Sequence, residues 1–204
     1  MKKKTPAGTA LKKYGLPLGT HILGVHLGTE LDGDALTIAS DGSYDANTGH
    51  AAFAWISDDG RYRTGEVQHG DSLLAELTAL TEAVEFIASA DIPRAVILID
   101  CRAAIAAVAQ VASGAQASRK HRPVRLASRI VAAAEGRDVE IRWVRGHDGH
   151  TLNSLADKLA NVEMCARRHA VSADGFRQVK PLLQRFRDMV AGSLSTDPGY
   201  ELAA

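Results

Sequence analysis

Cysteine is scarce in this chain of 204 residues: Cys101 and Cys165 are the only two, and no CxxC spacing joins them. A disulfide framework and a cysteine-built zinc site are thereby excluded, and the pair reads as reduced thiols of a cytoplasmic protein. Net charge is also absent, with 24 Lys and Arg against 24 Asp and Glu. No global field argues for nucleic acid, so any such contact must come from local basic clusters. No apolar run is long enough to span a bilayer, and the basic start MKKKTPAGTALKKYGLPLG contains no continuous apolar segment. A protein without a membrane partner is expected.

The residues that are present suit an ordinary globular domain, at 46% hydrophobic and 24% charged. We read residues 1–35 as an amino-terminal extension with one apolar patch, His21 to Leu27, a candidate edge strand. Residues 36–171 form the domain and residues 172–204 a tail with one further helical stretch, Pro181 to Val190. Within the domain, LTIASD, AAFAWI and RYRTGEVQH read as three strands of a meander, with a turn at Asp58 to Gly60. SLLAELTALTEAVEFIASA has helical spacing, with Asp71 or Ser72 as its N-cap and Pro93 beyond its end. AVILID is a continuous apolar run of the buried parallel-strand kind. Two helices follow, Arg102 to Ala112 and Pro123 to Ala134, then the strand DVEIRWV and the amphipathic helix LNSLADKLANVEMCARR. The order β-β-β-α-β-α-α-β-α implies an α/β fold, a mixed five-stranded sheet flanked by helices.

Four carboxylates stand on elements that are otherwise apolar: Asp41 in ASD, Glu76 in LLAEL, Asp100 in LIDC and Asp157 in SLADKLA. A buried carboxylate is costly unless it is paired or binds metal. Singly, each has an ordinary explanation: a turn residue for Asp41, a helix cap for Asp100, a solvated helix position for Glu76 and Asp157. Together they call for compensation, because like charges at close range raise one another's pKa. Hard oxygen donors suit Mg²⁺, and two ions about 3.5–4 Å apart can serve phosphodiester hydrolysis.

These motifs, SDGS, AEL, LIDC and WVRGHDGH followed by Asn153 and Asp157, resemble the ribonuclease H type 1 family over about Leu36 to Ala170. The pattern GHxGHxxNxxxD is the most specific of them. The resemblance implies a ribonuclease H-like fold and an endoribonuclease that hydrolyses the RNA strand of RNA/DNA hybrids. It implies two Mg²⁺ ions per site, with Mn²⁺ as a substitute, and 5′-phosphate and 3′-hydroxyl ends. Residue by residue, Asp41, Glu76, Asp100 and Asp157 match the metal-binding acids, His147 the loop histidine of proton transfer or product release, and Asn153 the asparagine that shapes that site. Asn47 matches an asparagine that contacts the hybrid backbone. Ser72 stands where many relatives carry asparagine, and Cys101 where serine is common.

Arg119, Lys120 and Arg122, in RKHRPVR, lie where many relatives carry a basic, aromatic-rich protrusion. Here no Phe, Trp or Tyr stands between Asp100 and the last strand. The segment reads either as a small phosphate-contacting patch or as a solvated loop. His150 is expected to be a hydrogen-bonding loop residue, since no partner stands at structural-zinc spacing. Trp55 and Trp143 are expected to be packing residues. The ending GYELAA resembles a bacterial degradation tag, which would make a Clp-type protease a partner. Two other functions compete: a ribonuclease H-like nuclease acting on DNA, and a non-catalytic hybrid-binding module.

Overall fold

The computed structural model describes residues 24–28, 34–114, 120–146 and 150–169, with residues 181, 184, 188 and 192 beyond them. Among these described residues ten elements are present: β1 (Gly24–Leu27), β2 (Leu36–Tyr44), β3 (Ala51–Ser57), β4 (Tyr62–Glu66), α1 (Ser72–Ser89), β5 (Arg94–Ile99), α2 (Arg102–Ala112), α3 (Arg122–Ala133), β6 (Asp138–Trp143) and α4 (Thr151–His169). The strands form one mixed sheet in the order β1-β6-β5-β2-β3-β4. β5 runs parallel to both β2 and β6, and the other pairings are antiparallel. Among the described residues, no helix is long and apolar enough to cross a membrane.

The sheet has six strands, which corrects the expected five. β1 pairs with β6 through Val25↔Ile141 and Leu27↔Val139. It falls in the apolar patch His21 to Leu27, the candidate edge strand, although its four residues carry only two alternations. Gly28 then lets the chain leave the edge: its φ is +108°, and a Cβ there would sit 1.7 Å from the Arg137 carbonyl oxygen. The third domain strand is also shorter than expected. It stops at Glu66, and a turn at Gln68 and His69, with φ +49° at His69, leads into α1. Asp71 caps that helix, its side chain accepting from the Leu74 N–H at 3.0 Å.

Strand alternation sorts the core into two layers. Ile38, Trp55, Ile97, Ile99, Val139 and Ile141 pack beneath α1, α2 and α3. Ala39, Ala54, Ile56 and Leu98 face the opposite way and are covered by Leu152, Leu155 and Leu159 of α4. Trp55 is buried and its ring stacks on Phe86 at 4.4 Å between centroids, the packing role expected of it. α4 is fixed at its far half by buried Glu163. That carboxylate accepts from Thr64 Oγ1 of β4 at 2.9 Å and from Arg167 Nε at 3.1 Å.

Candidate active site

Three of the four acids meet. Asp41, Glu76 and Asp100 each offer a carboxylate oxygen, and these atoms all lie within 4.8 Å of one another. Asp41 is 3% exposed and Glu76 4%, while Asp100 is half-buried. Register brings the two aspartates together. β2 and β5 pair in parallel from Leu36↔Ala95 to Ala39↔Leu98, and Asp41 and Asp100 each follow the last pair by two residues. Alternation along β2 puts Asp41 on the layer of Ala39, the face covered by α4.

Glu76 arrives from α1, on the other side of the sheet. β2 runs on past its pairing with β5 as far as Tyr44, which leaves its backbone open on that flank. There the Gly42 N–H donates to Glu76 Oε2 at 3.2 Å. A Cβ at position 42 would lie 2.3 Å from the Glu76 nitrogen and 2.4 Å from the Ala75 carbonyl carbon. Glycine is therefore what allows α1 to settle directly on the strand and bring its carboxylate to the site. The sequence signal for this was ambiguous, because a glycine after an aspartate also reads as a turn.

Asp157 lies outside this group of three. It sits half-buried on α4, next to Ala156 of the core layer. Asn153, one turn earlier on the same flank of the helix, is 3% exposed, and its side-chain oxygen has no hydrogen-bond partner among the described residues. His147 and Arg119 lie outside the described residues, as does the GYELAA ending. Asn47 is exposed in the β2–β3 turn, where its N–H donates to Asp45 Oδ1 at 2.9 Å. Ser72 is half-buried and opens α1, one turn before Glu76. His150 is exposed, and its carbonyl accepts from the Ser154 N–H. Lys120 is exposed and its carbonyl accepts from Arg125. Arg122 donates to the carbonyls of His69 at 2.7 Å and Gln68 at 3.0 Å, so α3 grips the loop that precedes α1.

Three converging carboxylates form an all-oxygen donor set of concentrated negative charge. That suits a hard divalent cation, and no comparable group of acids, histidines or cysteines occurs elsewhere among the described residues. Cys101 follows Asp100 directly. Burial, and next the charge of Glu76, push its thiol well above the ordinary range, so it stays protonated and neutral beside the acids.

Comparison with known proteins agrees with this geometry. The RNase H family model matches residues 33–165. Ribonuclease H of Tropheryma whipplei (strain Twist) is 32% identical over 130 residues, spanning 60% of this chain and 80% of that protein. Ribonuclease HI of Caulobacter vibrioides is 43% identical over 53 residues, 26% of this chain and 28% of that one. Among solved structures, the N-terminal RNase H domain of rv2228c from Mycobacterium tuberculosis, solved as a fusion with maltose-binding protein, superposes with a TM-score of 0.54. That match covers 68% of this chain and 99% of that one at 20% identity. RNase H1 of the halophilic archaeon Halobacterium salinarum gives a TM-score of 0.52 at 22% identity, covering 65% and 98%. The two structures speak for the fold, and the family match with the sequence relatives speaks for the enzyme: this chain belongs to the RNase H family, the ribonucleases that act on RNA/DNA hybrids.

Proposed function

We propose that this chain cuts the RNA strand of RNA/DNA hybrids internally, at the centre built by Asp41, Glu76 and Asp100, leaving 5′-phosphate and 3′-hydroxyl ends. The observation that carries the proposal is the convergence of those three carboxylates within 4.8 Å. Asp157 completes the set from α4. Divalent ions held there, Mg²⁺ with Mn²⁺ as a substitute, would supply activation of water and stabilisation of the departing 3′ oxygen. The remaining work falls to the protein. Gly42 holds Glu76 in place through its N–H, and the acids fix where the phosphodiester can bind. His147 assists proton transfer or product release, and Asn153 shapes its surroundings. Asn47 and Ser72 contact the hybrid backbone, while Arg119, Lys120 and Arg122 contribute salt-dependent attraction. The 2′-hydroxyl and the shape of the hybrid select the RNA strand.

End-labelled RNA in three forms, as hybrid with DNA, single strand and RNA duplex, together with an end-labelled DNA duplex, tests this with Mg²⁺ and an Asp41→Asn control. Cutting confined to the RNA of the hybrid, and lost in the control, is the expected result. Cutting of DNA would instead indicate a nuclease of the wider fold family. No cutting with either Mg²⁺ or Mn²⁺ would indicate a binding module.

A further inference from the structure

Asp100 stands at a corner, between the end of β5 and the start of α2. The β5–β6 ladder closes with the Val144 N–H donating to the Ile99 carbonyl at 3.0 Å. One residue on, a side chain takes over: Trp143 Nε1 donates to the Asp100 carbonyl at 3.2 Å. The indole is held in turn. The guanidinium carbon of Arg102 lies 4.0 Å from the centre of the Trp143 ring, within the range of a cation–π contact. Trp143 and Arg102 are both half-buried, and Arg102 is the first residue of α2, two positions after Asp100. The α2 N-cap, Cys101, makes no side-chain cap bond, so the corner gets no such restraint from its capping residue.

We infer that Trp143 is a positioning residue for the metal-binding centre. Its indole N–H fixes the peptide plane that carries Asp100, and Arg102 stacked on the ring holds the indole in register. This rests on the function proposed above. A carboxylate whose peptide can tilt meets the other two only part of the time, and groups that orient metal ligands commonly change metal affinity 10- to 100-fold when removed. Packing alone would leave metal affinity untouched, so affinity separates the two roles.

Calorimetric titration of the full chain with MnCl₂ is the test. Trp143→Phe keeps an aromatic ring, though a smaller one, and removes the N–H, and is expected to weaken Mn²⁺ binding about tenfold with the circular dichroism spectrum retained. Arg102→Met keeps bulk on the ring but removes the cation, and is expected to weaken binding about threefold. Should Trp143→Phe fail to fold, the Arg102→Met value decides alone. Native Mn²⁺ affinity in the folded variants, while Asp41→Asn loses binding, overturns the positioning role and leaves the metal centre standing. Native affinity in Asp41→Asn overturns the centre itself, and this inference with it.

Discussion

Gly42 shows how much of the site rests on a residue without a side chain. Any Cβ there meets backbone, not a flexible side-chain end, so neither strand nor helix can yield cheaply. Gly42→Ala is therefore expected to cost about 3 kcal/mol, the upper part of the overpacking range, and to displace Glu76. Urea unfolding would measure the first effect and hybrid cleavage the second; a stable, active variant would contradict the account. The acids themselves were legible in the sequence, because a carboxylate inside ASD or LLAEL conflicts with its apolar neighbours. Gly42 was not, since a glycine's contacts depend on an element 34 residues away. Trp143 packs against the core as expected, but its bond to the Asp100 carbonyl was not legible for a similar reason: that carbonyl lies past the end of a different strand.

The helices and the central strands were legible from period alone, as the bounds of α2 and the apolar run of β5 illustrate. How α4 is anchored was not, because it depends on contacts between distant segments. Glu163 is 1% exposed and accepts from Thr64 and Arg167, and Arg167 also approaches Glu66 at 3.5 Å. Glu163→Ala would leave Arg167, at 30% side-chain exposure, to solvent, so the loss is expected at about 2 kcal/mol, below that of a fully buried pair. Thermal melting would register it. On β6, the hydrogen bonds from Arg142, outweighing burial, hold the Glu140 carboxyl below its usual range. A depressed carboxylate pKa adds stability that is present above the unfolded value, near 4.3, and fades as pH falls through the folded one. Glu140 is 38% exposed and solvent-screened, so the effect is small. Glu140→Gln should lower the melting temperature slightly at pH 6, and the difference should shrink as pH falls below about 4.3. A difference that does not shrink with acid would assign the effect to packing.

For the whole molecule, β1 decides where the sheet ends. It covers the flank of β6, and His26 Nε2 lies 2.9 Å from Oδ1 of buried Asp138, which Arg94 approaches from β5 at 3.2 Å. Removing residues 1–28 would bare the β6 edge and expose what Leu27 covers at 7% exposure. We expect a loss of about 2–3 kcal/mol from that side chain and its ladder bonds. Concentration-dependent association is expected as well, since an open edge pairs with its copies. Light scattering of the truncated chain, compared with the full one, would detect this, and a monomer of unchanged stability would show β1 to be dispensable.

The pairing of β1 with β6 joins the twenties of the chain to the one-forties, and the three acids come from segments beginning at residues 36, 72 and 94. Contacts so distant along the chain form late, because long loops must close first. A polypeptide still emerging from a ribosome therefore carries these carboxylates on separate segments, and they converge only once β2 and β5 pair and α1 settles against Gly42.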